Sequence, residues 1–167
     1  MKRTHACGEL TEKDVGKKVT LCGWVHTRRD HGGVIFIDVR DRYGITQLVF
    51  KPDQKDLFKK ADALRREYVI AVNGNVTRRP QGTLNKELFT GQIEVVCGGL
   101  EILNTSDVPP LDIADKAEMN EDLRLKYRYL DLRRFPMQKN LILRHKVIKA
   151  TRDFFDSKGF LEIETPI

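Results

Sequence analysis

The chain has 167 residues, 40% of them hydrophobic, and its 30 Lys and Arg against 24 Asp and Glu give a net charge of +6. That length suits one domain plus part of a second, and no apolar run approaches the roughly 18 residues of a membrane span. Most of the excess charge falls on residues 1–104, with 18 basic and 13 acidic side chains, which favours a polyanionic partner.

In chain order, Lys17 to His26 reads as a first strand with Val19, Leu21 and Val25 on one side, and Gly23 suggests a bulge or sharp bend. Arg28-Arg29-Asp30-His31-Gly32-Gly33 reads as a basic turn. Val34 to Arg40 alternates, placing Ile35, Ile37 and Val39 on one face and Phe36, Asp38 and Arg40 on the other. Arg42-Tyr43-Gly44 then turns into a third strand, Ile45 to Phe50. Asp53 is positioned to cap a helix to about Glu67, whose Leu57, Phe58, Ala61 and Leu64 form an apolar stripe.

Tyr68 to Val76 predicts a fourth strand and Gln92 to Val96 opens a fifth, separated by the polar loop Thr77 to Gly91. Five strands, a helix between the third and fourth, and a long fourth loop match a five-stranded OB-fold Greek-key barrel. The predicted fold class is thus mostly β with helices. Residues 1–104 form the barrel and 105–136, with Pro109-Pro110, a hinge that includes a helix from Glu121 to Leu132. Residues 137–167 hold a helix from about Met137 to Ser157, ended by Gly159, and a strand from Phe160 to Ile167.

OB-folds bind oligonucleotides across strands two and three, flanked by the first and fourth loops. Here those loops carry Arg28-Arg29 and Arg78-Arg79, and the outer face carries Phe36 with Gln47 beside it. A ring, an amide and guanidinium groups on one face suit a single-stranded nucleic acid, with bases stacked on the ring and arginines on phosphates or base edges. The pattern alone is equally compatible with Phe36 packed under a loop and a solvated Arg/Asp face. Cys7, Cys22 and Cys97 are odd in number and far apart, and His5, His26, His31 and His145 lack ligand spacing. We expect reduced thiols, no bound metal and, with no secretory leader at Met1 to His5, a cytoplasmic protein.

RTHACGEL (3–10), VTLCGWVHTRRDHGGVIFIDVRDRYGITQLVF (19–50), IEVV (93–96), LRLKYRYLDLRR (123–134) and GFLEIETPI (159–167) resemble bacterial-type aspartyl-tRNA synthetases, which are class II, subclass b. The resemblance implies an anticodon-binding OB-fold, a hinge and the opening of a truncated class II α+β catalytic domain. GFLEIETPI is similar to motif 1, implying that Phe160 and Pro166 lie in a homodimer interface. Motifs 2 and 3 are absent, so the chain alone is expected to be inactive and to hold no cofactor. ATP, magnesium and aspartate are implied only for the full-length aspartate-tRNA ligase.

By the same resemblance Phe36 stacks on the middle anticodon base, Gln47 bonds to its edge, Glu94 reads the first base and Arg29 the third. Thr27 and Thr77 stand where some relatives have arginine, so Arg28, Arg78 or Arg79 is expected to take the phosphate contacts. His31 and Gly82 match positions associated with enzymes that charge tRNA(Asn) as well as tRNA(Asp). The rival reading, a free-standing OB-fold protein that binds single strands, accounts for the barrel but not for KYRYLDLRR and GFLEIETPI.

Overall fold

A computed structural model describes residues 1–113 and 120–166. The chain divides into two compact units, Met1–Val108 and Pro109–Ile167. In the first, strands β1 (Lys18–His31), β2 (Val34–Arg40), β3 (Ile45–Phe50), β4 (Val69–Arg78) and β5 (Ile93–Asn104) close a barrel in the order β1-β2-β3-β5-β4. Helix α1 (Lys55–Asp62) lies between β3 and β4 in sequence.

Alternation decides which side chains enter the barrel. Val19, Leu21 and Val25 of β1, Ile35, Ile37 and Val39 of β2, Leu48 and Phe50 of β3, Ile70 and Val72 of β4, and Ile93 and Val95 of β5 are buried in one core. The apolar stripe of α1 joins it, with Ala61 and Leu64 buried and Leu57 and Phe58 partly so. Neighbouring strands pair antiparallel except β3 with β5, which run parallel with Leu48 opposite Val95 and Val49 opposite Val96.

Several local expectations are corrected. β1 runs on to His31, so Arg28, Arg29 and His31 are strand residues and only Gly32 and Gly33 turn. Both have positive φ (61° and 74°), as a two-residue type I′ hairpin turn requires. The irregularity in β1 lies between Val25 and Thr27, whereas Gly23 lets the backbone pass close to the Arg40 carbonyl. The N-cap of α1 is Gln54, not Asp53, whose carboxylate instead accepts from the Gln54 N–H. The fifth strand, expected to open at Gln92 to Val96, starts at Ile93 and extends through Gly98 and Gly99 to Asn104.

The bulge is backed by a buried ion pair. Glu67, only 5% exposed and at φ 64°, donates its N–H to the Val25 carbonyl at 2.8 Å. Its carboxylate takes both terminal nitrogens of Arg40 at 3.0 Å. Arg40 Nη1 also donates to His26 Nδ1 at 3.0 Å. Burial, and then the Arg40 charge, hold His26 below its ordinary pKa, consistent with a neutral ring accepting that bond.

The second unit contains α2 (Glu121–Lys126), α3 (Arg128–Asp131) and α4 (Phe135–Asp156). The helix expected over 121–132 is broken at Tyr127, with φ −109° and ψ 46°. Leu111, Ile113 and Leu130 form a small core with Leu123 and Tyr127, beside a buried Asp131 that accepts from Arg124, Arg128 and Arg134. Part of the expected hinge, residues 114–119, lies outside the described residues, as does Ile167 of the expected last strand. Residues 160–166 form no strand, because no ladder partner meets them among the described residues. Instead Phe160 packs edge-on to Phe155 and Glu162 pairs with Arg152.

Replacing Arg40 by Met strips the buried Glu67 carboxylate of its bidentate partner and is expected to cost about 3–5 kcal/mol in urea denaturation. A loss under about 1 kcal/mol, the usual value of an exposed pair, would contradict this account of the bulge.

Candidate nucleic-acid interface

The same alternation that fills the core places a polar row outside. Cross-strand pairing sets Arg29 beside Phe36, Phe36 beside Val49, and Asp38 between Thr27 and Gln47. On β5, Glu94 pairs with Thr77 of β4 and lies next to Gln47 through the parallel β3–β5 ladder. Together these strands floor an open cleft of about 770 Å³, lined among others by Arg29, His31, Phe36, Gln47, Lys51 and Glu94. Pro80 and Thr83 form one wall.

A chain of hydrogen bonds fixes the floor. The Thr27 hydroxyl donates to Asp38 Oδ2 at 2.5 Å, and Arg29 Nη2 donates to Asp38 Oδ1 at 3.0 Å and to Gln47 Oε1 at 3.3 Å. Gln47 Nε2 donates to Glu94 Oε2 at 3.0 Å. The amide of Gln47 is therefore oriented with its oxygen toward Arg29 and its nitrogen toward Glu94. Glu94 is 9% exposed. Burial pushes its carboxyl above the ordinary value, while the Gln47 amide, Arg79 and Lys51 pull the other way. The result is a half-buried ring bordered by a donor, a mixed donor and acceptor, and an acceptor.

The sequence-predicted residues do not all meet here. Arg29, Phe36, Gln47, Glu94 and His31 line the cleft. Arg28 points the other way along β1, opposite Ile37 in the ladder, and pairs with Asp62 of α1 in a separate cleft shared with Arg65 and Arg66. Arg78 is exposed and stands 3.4 Å from Glu12. Arg79 is buried. Gly82 sits third in the turn closed by the Thr83 N–H on the Pro80 carbonyl at 3.1 Å. Its φ of 87° is what a type II turn demands there, so Gly82 shapes the wall that Pro80 and Thr83 present. Phe160 and Pro166 belong to the other unit, where Phe160 is exposed. The supporting roles of Thr27 and Asp38 were not assigned from sequence, although alternation had placed Asp38 on this face.

Residues 19–103 match the family described as OB-fold nucleic acid binding domain, and residues 120–167 match tRNA synthetases class II (D, K and N). Over 99% of its length the chain is 57% identical to the aspartate–tRNA(Asp/Asn) ligase of Endomicrobium trichonymphae, and over 100% it is 58% identical to the protein of the same name from Halothermothrix orenii. It spans 28% of the length of each. Among solved structures, asparaginyl-tRNA synthetase from Pyrococcus horikoshii superposes with a TM-score of 0.84 at 29% identity, covering 99% of this chain and 38% of that one.

The face assignment is tested by stability alone. Ile37, fully buried, is expected to lose about 2–5 kcal/mol on Ile37→Ala, and Phe36→Ala much less, measured by urea denaturation. Equal losses would place Phe36 in the core.

Proposed function

We propose that this chain, which belongs to the OB-fold nucleic acid binding domains, reads the anticodon of tRNA(Asp), and also of tRNA(Asn), as part of an aspartate-tRNA ligase. The observation that carries this reading is the convergence of Phe36, Gln47, Glu94 and Arg29 on one cleft. Stacking on an aromatic ring holds a splayed base without regard to its identity, and the three polar side chains supply the discrimination.

On this reading uridine, the middle base, stacks on Phe36 and meets the Gln47 amide, which offers both a donor and an acceptor to the base edge. Glu94 accepts from the N1–H and N2 amino group of guanine at the first position. Arg29, held by Asp38, donates to O2 of the third base, an acceptor that cytosine and uridine share, and also to N3 when that base is cytosine. Arg78, with 71% of its side chain exposed, suits a phosphate, a contact that positions without reading sequence. Arg28 is already engaged by Asp62, so it reaches RNA only by exchanging that partner.

The third base separates tRNA(Asp), with C, from tRNA(Asn), with U. His31 at the end of β1 and the Gly82 turn border the same cleft through His31, Pro80 and Thr83. A histidine presents either a donor or an acceptor, so it satisfies an amino group or a carbonyl alike, and Gly82 adds no side chain to exclude either. The names of the relatives, which pair Asp with Asn, support this dual use.

The whole ligase would activate aspartate with ATP and magnesium and then esterify tRNA in the cytoplasm as a homodimer. Among the described residues no group of three or more His, Cys, Asp and Glu is set to hold a metal. No helix among them is long and apolar enough to cross a membrane. The exposed apolar residues of α4 and of 160–163, among them Leu141, Phe154, Phe160 and Leu161, are the surface a second copy would cover. A free-standing single-strand binder is the weaker alternative, since it leaves the class II match over 120–167 without a role.

The test is equilibrium binding to anticodon stem-loops. Phe36→Ala is expected to weaken a GUC loop by about 1–3 kcal/mol. Wild-type protein should bind GUC and GUU loops within about 1.4 kcal/mol, or tenfold, of each other. Unchanged binding by Phe36→Ala would refute the stacking face, and a larger preference for GUC would refute dual use.

A further inference from the structure

From sequence, Arg79 pairs with Arg78 as a loop cation facing phosphates. Its environment is different, because Arg79 is only 7% exposed. Its N–H donates to the Gln92 carbonyl at 3.0 Å and its Nε to the Ile93 carbonyl at 3.0 Å. The guanidinium is thereby fastened to the residue that precedes Glu94. Its Nη2 is buried without a hydrogen-bond partner. A buried cation with an unused donor carries a free-energy cost, to which the like charge of Arg29 adds and which the carboxylates of Asp38 and Glu94 offset.

Resting on the reading of Glu94 above, we propose that Arg79 is a positioning residue for first-base recognition, a fixed counter-charge fastened to the Ile93 carbonyl next to Glu94 that keeps the Glu94 carboxylate an acceptor when a base covers the cleft. A base laid over the cleft removes more water from a carboxyl that burial has already pushed upward. Once protonated, that carboxyl would turn a donor toward guanine, whose N1–H and N2 amino group are donors too. Arg79 opposes this at a distance from the RNA and makes no phosphate contact.

The groups around Glu94 are Gln47 and Lys51 from β3 and its end, Arg79 after β4, Asp38 on β2, and Arg29 and His31 on β1. The sign follows from the raised acid. The acceptor form exists above the carboxyl's pKa and is lost as pH falls through it, so removing Arg79 moves that loss to higher pH.

The experiment measures binding of GUC and AUC stem-loops between about pH 5 and pH 8. It compares wild type, Arg79→Met, Arg79→Lys, Glu94→Gln and the Arg79→Met/Glu94→Gln double variant. Arg79→Met should lose about tenfold or more of the guanine preference at the acid end and recover it toward the alkaline end, while Arg79→Lys retains it. In the Glu94→Gln background the same change should leave the preference unaltered, because the group it acts through is gone. His31 is present in every protein compared, so its contribution cancels in the ratios. Should Arg79→Met fail to fold, Arg79→Gln keeps a donor for the Ile93 carbonyl without the charge and replaces it. Equal weakening of GUC and AUC at every pH, or the same loss of preference with and without Glu94, would overturn the proposal. A wild-type guanine preference in Glu94→Gln would instead refute the underlying reading of Glu94.

Discussion

The parallel pairing of β3 with β5 is the constraint on which the rest of the site depends. Leu48 against Val95 and Val49 against Val96 close the barrel, and that closure brings Gln47 within 3.0 Å of Glu94, 47 positions away in sequence. Without it the two would be isolated polar residues on separate strands. With it the hydrogen-bond chain runs unbroken from Thr27 through Asp38, Arg29 and Gln47 to Glu94. Each side chain is oriented by its neighbour before any ligand arrives, which lowers the ordering cost of recognition.

The barrel supplies this rigidity cheaply because every strand has two faces with separate tasks. On β2, Ile35, Ile37 and Val39 are buried in the core while Phe36 and Asp38 belong to the polar row. A one-residue slip would exchange the two sets. The type I′ turn at Gly32-Gly33 and the bulge held by Arg40 and Glu67 pin the β1–β2 register from both ends.

What was legible from sequence followed from periodicity. The faces of β2, the stripe of α1 and the succession of strands and helix along the chain were readable because period-2 and period-3.6 patterns survive in short windows. Gln47 and Phe36 were placed by that pattern, while Glu94 was recognised only through resemblance, since Ile93-Glu94-Val95-Val96 on its own reads as an apolar strand with one charge. The extent of β1 was missed because Arg28, Arg29 and Asp30 have the composition of a turn, although only the two glycines bend the backbone. The burial of Arg79 was hidden for a similar reason: Arg78 and Arg79 look alike in sequence, yet one is exposed at the end of β4 and the other is buried against the Gln92 and Ile93 carbonyls. Residues 160–166 carry a strand-like alternation, yet a strand needs a ladder partner and local sequence does not supply one.

The most direct test of the central claim is an amide and side-chain NMR titration of the protein with a GUC anticodon stem-loop. The account predicts that the largest shifts fall on Arg29, His31, Phe36, Gln47 and Glu94, the residues lining the β1–β2–β3–β5 cleft. Shifts centred instead on Arg28, Arg65 and Arg66 beside α1, with the Phe36 ring unmoved, would contradict it.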